Sequence, residues 1–571
     1  MKNKEIAHIF NEIADILELR DENPFKIKAY RRAANNIESL VKSIEEFYKD
    51  DSLSSISGVG KDLESKIKEY LETGNIESYE TLKHNTPEIL MKMTLIQGVG
   101  PKTAKLLYDK LELKSLRDLE KKALHHEISG LPGIKQKTEE NILKGIRLLN
   151  ESSQFMNLQT ALFTAEQIIN NLKKLQSIKN ISYAGSLRRG KESIRDIDIL
   201  VSSKKAEETM DAFTSMPIVK QVTAHGQTKS SIITNTNIQV DLRVIDDSSW
   251  GAALVYFTGS KQHNIELRRI AMKKNQKINE YGLFDEKSNK MLAGKNENEV
   301  YKTLGLQYIP PELREDQGEI QLSRENKIPK LVELSDVKGD LHVHSNYSDG
   351  YNSIEDIAKK AISKGYEYAA IVDHSQTLKI ANGLSESKVM QKLEEIKQVN
   401  MKYKNIKILA GAEVDVTNDG SLDYPNEILK MFDIVIAAIH TNFKQDEKTM
   451  TNRILKAMGN PFVNIFAHPT GRLIGTREPY AVDIDAVIKA AKETNTALEI
   501  NCYPDRLDLN DLNCKKAKEN GVIMTFGSDA HSIDQMDNIK FGLMTARRGY
   551  LEKKDVLNCL EYEELIYKLR K

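Results

Sequence analysis

Beyond residue 337 the sequence alternates short apolar runs with amphipathic segments, and nearly every run closes on a metal-ligating side chain. GDLHVHS carries His342 and His344, AAIVDH ends at His374, ILAGAEVDV carries Glu413, DIVIAAIH ends at His440 and VNIFAH at His468. VIMTFGSDAH closes with Asp529 and His531, and NYSDG adds Asp349. Apolar runs separated by helical segments predict parallel βα units. Side chains at the C-terminal ends of parallel strands converge at one mouth of a barrel. Of 12 histidines in the chain, the six beyond residue 330 all fall in these positions. One such histidine alone reads as a satisfied core or surface residue. Six of them with three acids are difficult to explain without metal. Mixed imidazole and carboxylate ligands suit Zn²⁺, Mn²⁺ or Fe²⁺ better than Mg²⁺ or Ca²⁺, and the sequence leaves those three open.

A second constellation lies at 183–201, YAGSLRRGKESIRDIDILV. Asp196 and Asp198 alternate with Ile197 and Ile199, so in a strand both carboxylates share one face while the isoleucines enter a core. Asp241 takes the polar face of another alternating run, IQVDLRV (238–244). Aligned carboxylates of this kind seat Mg²⁺ together with substrate phosphates. The turn ahead of them, with Gly185, Ser186 and Arg189, can offer backbone N–H groups, a hydroxyl and a guanidinium fork to a triphosphate. An Asp-Ile-Asp run by itself reads as a solvated strand face.

Residues 1–85 read as short amphipathic helices, beginning with IAHIFNEIADILEL and FKIKAYRRAANNI. ISGVGKDLESKI and LIQGVGPKTAKLLYD repeat an apolar-x-Gly-apolar-Gly pattern, and ISGLPGIKQKTEENIL is a looser third copy. Gly58, Gly60, Gly98 and Gly100 permit a tight turn whose N–H groups face outward at a helix N-terminus, suited to a phosphate oxygen. This is the helix-hairpin-helix pattern of sequence-independent DNA binding, although a lone GVG is more often a simple turn. Charge does not supply the grip in bulk: the chain holds 83 Lys+Arg and 83 Asp+Glu, and residues 1–150 hold 25 of each sign. DNA must be met by local patches and backbone geometry.

Length suggests about four folded units at roughly 150 residues each. Three cysteines without a CxxC (Cys502, Cys514, Cys559) indicate neither a disulfide framework nor a cysteine zinc site. The charged start and the lack of an 18-residue apolar run exclude a membrane span and lead us to expect a cytoplasmic chain. The LGLQYIPPELRE segment halts regular structure at its prolines. Residues 315–336, charged and poor in aromatics, are expected to be an exposed linker.

Taken together, GSLRRG, DIDILV, IQVDLRV and VYFTGSKQHN (255–264) resemble the nucleotidyltransferase core of family X DNA polymerases. The order HxH, Asp, His, Glu, His, His, DxH resembles the polymerase and histidinol phosphatase (PHP) family with no ligand missing. The resemblance spans the whole chain and is to a bacterial family X polymerase with a C-terminal PHP domain. It implies a multidomain fold: α-helical helix-hairpin-helix N-terminal domains, an α/β palm and a distorted (β/α)7 PHP barrel holding up to three ions. The expected divisions are 1–85, lyase-like; 86–150, a second helix-hairpin-helix domain; 151–245, palm; 246–314, nucleotide selection; and 337–571, PHP.

The resemblance also implies roles. Asp196, Asp198 and Asp241 are the catalytic acids, Tyr256 and Phe257 meet the incoming sugar, Gly259 belongs to the same nucleotide-binding set, Asn264 meets the base's minor-groove edge, and Arg268 contacts the template. Lys66 falls where the lyase domain carries its Schiff-base lysine, with Lys26 and Tyr30 near a 5′-phosphate pocket, while Ser65 replaces an acid of that pattern. The other reading of Lys66 is a solvated helix lysine near DNA. Without the acids, Tyr256 and Phe257 would read as core at a strand end. Arg195 and Gln239 depart from the commoner Gly and Arg of the family. The implied activity is DNA-directed, filling short gaps in repair from dNTPs with Mg²⁺, joined to a metal-dependent 3′–5′ exonuclease that also cleaves at abasic sites. A monomer is expected. The alternative is a DNA-end scaffold with an idle polymerase site.

Overall fold

A computed structural model of the chain describes residues 2–38, 43–56, 58–94, 96, 99–132, 134–152 and 155–569. Two compact units emerge, a helical one up to residue 152 and a larger one beginning at 155.

In the helical unit, Lys2–Leu19 and Pro24–Glu38 form an antiparallel pair whose apolar stripes, at helical spacing, bury Phe10, Ile13, Leu17, Tyr30 and Ile37. Phe10 and Tyr30 meet edge to face at 5.5 Å. The first GVG turn leads into Lys61–Thr73, which ends on Gly74 at φ +77°, a left-handed cap open to glycine at little cost. The second leads into Pro101–Leu111, with proline at the first helical position, where its missing N–H has no partner to lose. A second cluster gathers Met93, Val99, Leu107, Leu119, Ile128 and Ile142.

The larger unit opens with a five-stranded sheet. Its strands are β1 (Ile178–Tyr183), β2 (Asp196–Ser203), β3 (Val219–His225), β4 (Lys229–Thr234) and β5 (Gln239–Ile245), in the order β1-β2-β5-β4-β3. Only β2 and β5 run parallel. Ile197, Ile199, Val240 and Leu242 are fully buried, as their alternation requires. Trp250–Thr258 and Lys261–Lys273 follow, then an antiparallel meander of β6 (Gln276–Asn279), β7 (Gly282–Asp285) and β8 (Met291–Ala293).

Seven parallel strands then run in sequential order: β9 (Gly339–Val343), β10 (Tyr368–Ile371), β11 (Lys407–Asp415), β12 (Ile434–Ala438), β13 (Ile465–Phe466), β14 (Ala497–Asn501) and β15 (Met524–Gly527). A parallel bridge between Val343 and Ala530 brings the first strand beside the last, giving a nearly closed, distorted (β/α)7 barrel. Both faces of these strands are covered, which explains their uninterrupted apolar character.

Residues 315–336 differ from the exposed linker their composition suggests. They include the helix Glu319–Arg324; Glu319 is buried, Ile320 and Leu331 pack into the core formed around Leu267, Val300 and Tyr301, and Val332 packs into the barrel core with Val343 and Ile357. The charge that reads as solvated is internally paired: Glu319 sits 2.7 Å from Nδ1 of buried His263 and accepts backbone N–H groups from Asp316 and Gln317. Sheet and barrel also share a core, since Leu507 and Phe541 pack among the palm residues and Tyr550 among those around Tyr301.

Candidate active sites

In the register of β2 and β5, Asp198 is the direct partner of Asp241, and Asp196 stands two residues along on the same face. Three carboxylates therefore line one edge of a rigid parallel pair. Burial, then the charges of Asp196 and Asp241, push the Asp198 carboxyl up to about 6. Asp241 is different. Burial raises it, but Lys229, Ser231 and Gln239 outweigh that and hold it below the usual carboxylate range. Lys229 Nζ lies 2.7 Å from Asp241 Oδ2, and Gln239 Nε2 donates to Oδ1 at 3.2 Å.

The turn ahead of the acids is short. Gly185, at φ +60°, begins the helix Gly185–Arg188, and a Cβ there would lie 2.5 Å from Asp198 Oδ2, so only glycine fits against the acid. Ser186, half-buried, follows it. Arg188 is committed elsewhere, to Thr258 and bidentately to Glu297, which Arg314 also pairs. Arg189 donates to Glu315 at 2.9 Å and to the carbonyl of Thr258.

Tyr256 and Phe257 lie in the last turns of the helix Trp250–Thr258, not at a strand end. WGAALVYFT is apolar on all sides, and such a run does not distinguish buried helix from strand. Their rings meet edge to face at 5.0 Å, Arg268 stands over Tyr256 and Arg243 over Phe257. Gly259 follows at φ +68°, and Asn264 is fixed by its amide donating to the Tyr256 carbonyl at 2.7 Å. Arg195 stacks on Phe155 at 5.0 Å.

The barrel mouth collects all nine residues. Three groups have ligand atoms within 4.8 Å of one another: His344, Asp349, His374 and His531; His342, His344 and Asp529; and His374, Glu413 and His440. His468 joins through Nε2, 3.0 Å from Glu413 Oε1. Glu413 is central, with His342, His344, His374 and His440 all within 3.6 Å of its carboxylate. His374 Nδ1 lies 2.9 Å from Glu413 Oε2, yet neither atom has a hydrogen-bond partner in acceptable geometry; buried Nδ1 of His344 and of His468 are likewise unpartnered. Buried polar atoms rarely go unpaired, and converging lone pairs in this arrangement fit divalent cations. The local fields are strong: burial and the neighbouring His531 and His374 bring His344 down to about 4, whereas Glu413 and Asp349 overcome burial and lift His374 to about 10.

Three acids that the sequence did not single out complete the cup. Glu499 accepts from His342 Nδ1 at 2.6 Å, Asp415 lies 2.5 Å from His440 Nδ1, and Asp373 holds Ser345 and Ser348 while paired with buried Lys392. A lone acid inside the apolar run ALEIN, and an acid two residues from Glu413 on the same strand face, were the available signals.

In the helical unit, Gly60 and Gly100 are the N-caps of Lys61–Thr73 and Pro101–Leu111, and a Cβ on either meets nothing within 4 Å. Gly58 sits at φ +85°. Gly98 lies outside the described residues. Lys66 Nζ lies 2.6 Å from Asp62, an acid the sequence did not place beside it. Burial lowers its pKa, but Asp62 and Tyr30 more than offset this, and the net shift is upward. Lys26 is exposed and Tyr30 buried.

A parallel strand pair edged with three carboxylates, in the same unit as a barrel whose mouth holds three clusters of metal ligands, defines a nucleotidyltransferase joined to a metal-dependent phosphoesterase. The sequence matches family profiles described as helix-hairpin-helix domain (1–76), SAM-like helix-hairpin-helix tandem (50–111 and 90–148), DNA polymerase beta palm (161–276), DNA polymerase beta thumb (253–315) and PHP domain (340–503). It is 39% identical over 567 residues, 99% of each chain, to the DNA polymerase/3′-5′ exonuclease PolX of Bacillus subtilis (strain 168). Over 230 residues it is 32% identical to a probable phosphatase of Thermoanaerobacter sp. (strain X514), covering 38% of this chain and 89% of that one. A probable phosphatase of Acetivibrio thermocellus is 30% identical over 203 residues, 34% of this chain and 78% of that protein. The chain belongs to the PolX family of DNA polymerases with helix-hairpin-helix, palm and PHP domains. The helix-hairpin-helix domains support DNA binding. Among the described residues no helix is long and apolar enough to cross a membrane.

Proposed function

We propose that this polymerase fills short gaps in DNA during repair, taking dNTPs at Asp196, Asp198 and Asp241, and that its PHP site removes 3′-terminal nucleotides and cleaves at abasic sites. The pairing of Asp198 with Asp241 across β2 and β5 carries the first reading. The N–H groups of the Gly185–Ser186 turn and the remaining guanidinium nitrogen of Arg189 bind the triphosphate, Tyr256 and Phe257 confine the sugar, Asn264 meets the base edge and Arg268 the template. Mg²⁺ held by the three acids would neutralise charge on the phosphates as the primer 3′-hydroxyl attacks the α-phosphate and pyrophosphate departs. The helix-hairpin-helix turns at Gly58, Gly60, Gly98 and Gly100 grip DNA backbone, the chain acts as a monomer, and its compartment is the cytoplasm.

At the barrel, the three clusters of ligand atoms, with the unpartnered Nδ1 of His374 beside Glu413 and that of His344 on the Asp349 side, support a site for two or three cations. Mn²⁺ suits this donor set better than Zn²⁺ or Fe²⁺ for a phosphodiester substrate, and would supply an activated water and a clamp on the departing oxygen. Asp349 and Asp529 close the two sides of the cup, and Glu499 and Asp415 fix ring orientation. The Bacillus subtilis relative carries both activities in its name, and the relatives named as probable phosphatases match this chain over about the length of the barrel domain, 230 residues for the first of them.

Primer extension and shortening on a gapped duplex, with Mg²⁺ and Mn²⁺ compared, test both halves. Asp198→Ala is expected to abolish extension and spare shortening. The double variant His342→Ala, His344→Ala is expected to do the reverse. Shortening that survives in the double variant, or that needs pyrophosphate and vanishes in Asp198→Ala, would be the polymerase running backwards and would defeat the exonuclease reading.

A further inference from the structure

The turn carrying Arg189 is built partly from the barrel domain. Arg189 ends the short helix Gly185–Arg188, and its Nε donates to Glu315 Oε1 at 2.9 Å. The same carboxylate oxygen accepts from Nη1 of Arg548 at 2.8 Å, and Nη1 also donates to the Arg189 carbonyl at 2.9 Å. Arg548 thus holds both the backbone of Arg189 and the acid that orients its side chain. Its far side is fixed to Asp511, at 2.8 Å from Nε and 2.7 Å from Nη2.

Arg548 ends the helix Ile539–Arg548, and that helix lies flush against the turn. Gly190, at φ +64°, would place a Cβ 3.1 Å from Cβ of Met544. With 6% exposure Arg548 has no face for DNA, and it contacts none of the nine residues of the metal cup. Two of its three partners belong to the polymerase half. Arg189 in turn has Nε and Nη1 engaged, while Nη2 makes no hydrogen bond among the described residues.

We propose that Arg548 of the barrel domain is a positioning residue for nucleotide addition, holding the Arg189 turn in the geometry that receives the triphosphate. This rests on the reading of Arg189 as a nucleotide contact. A charged donor buried between two acids and a carbonyl is costly to place and specific in geometry, because each partner lost leaves a buried polar group unpaired. The barrel therefore acts on polymerisation through structure, without its own metal site taking part.

The test uses the full chain on a one-nucleotide gap with the dNTP titrated. Arg548→Met is expected to raise the apparent KM for dNTP about five- to tenfold, leave kcat within about twofold and leave primer shortening unchanged, the size of a coupled network contact. Arg548→Lys keeps the pairing with Asp511, and so the barrel's packing, but cannot reach both Glu315 and the Arg189 carbonyl; it should show a smaller rise of the same kind. In an Arg189→Ala background, Arg548→Met should add nothing. An unchanged KM in both Arg548 variants, additive effects in the double variant, or shortening lost in parallel with gap filling would each overturn the proposal. If Arg189→Ala alone leaves KM unchanged, the nucleotide-contact reading fails and the inference with it. A rise in Arg189→Ala without one in the Arg548 variants removes the inference alone.

Discussion

Glu499 Oε1 lies 2.6 Å from Nδ1 of His342, which leaves Nε2 of that ring turned toward His344, Glu413 and Asp529. The other oxygen of Glu499 accepts the backbone N–H of His468 at 2.8 Å, so one buried acid sets the tautomer of one candidate ligand and the backbone of another. Such outer carboxylates orient metal-ligating histidines and raise their basicity.

Replacing Glu499 with Gln should therefore lower divalent-metal affinity at the barrel about 10- to 100-fold, and primer shortening with it. Gap filling should be untouched. Metal content after gel filtration, measured elementally, separates this from a direct catalytic loss, and full retention of metal in the variant would contradict it.

Proton competition gives the palm a pH signature. Because burial and the neighbouring Asp196 and Asp241 raise Asp198 to about 6, its carboxyl is protonated below that pH and must lose the proton before it can hold a cation. The Mg²⁺ concentration for half-maximal gap filling should be level above about pH 7 and climb toward about tenfold per pH unit well below 6, the slope for one displaced proton. A flat requirement from pH 5 to 7 would show that Asp198 titrates normally.

Both sites were legible where chemistry follows local period. Asp196 and Asp198 on an alternating strand, and histidines closing successive apolar runs, need only the two-residue repeat and the rule of parallel strand ends to be placed on one face and at one mouth. What escaped was decided by long-range partners. Glu499 pairs with a residue 157 positions away, and Arg548 acts on a turn 359 positions away. The segment 315–336 looks solvated because composition counts charges without their partners: Glu319 is spent on buried His263, and Arg547 on Glu312 just ahead of the segment and on the Val332 carbonyl. Tyr256 and Phe257 were visible as residues, but a run apolar on every side does not declare its period.

The helix-hairpin-helix reading has a clean test at Gly100. Its φ of −77° suits any residue, and an added Cβ meets nothing within 4 Å, so Gly100→Val leaves the fold intact while blocking approach to the N-terminus of Pro101–Leu111. We expect weaker binding to gapped duplex by roughly fivefold or more, equal across sequences, as befits a backbone contact. Anisotropy with two unrelated sequences checks this, and loss on only one of them would argue for base reading instead.

Lys66 is the residue whose surroundings differ most from what its place in the sequence implies. An amine attacks the aldehyde of an abasic site only when unprotonated, and nucleophilic lysines are usually brought down by burial or by nearby cations. Here burial does lower Lys66, but Asp62 at 2.6 Å and the Tyr30 hydroxyl outweigh it and keep the ammonium form. An ammonium suits an anion rather than an aldehyde, and the i, i+4 pair with Asp62 fixes its rotamer on the helix Lys61–Thr73. Borohydride trapping of an abasic-site adduct should therefore be weak in the native chain and no weaker in Lys66→Ala, while Lys66→Ala should lower affinity for 5′-phosphorylated gaps. Asp62→Ala supplies the converse: freed of its acid, Lys66 would fall toward or below its ordinary pKa, and trapping should rise with pH between about 7 and 9. Efficient trapping in the native chain that disappears in Lys66→Ala would instead make Lys66 the Schiff-base lysine, with Asp62 displaced when DNA binds.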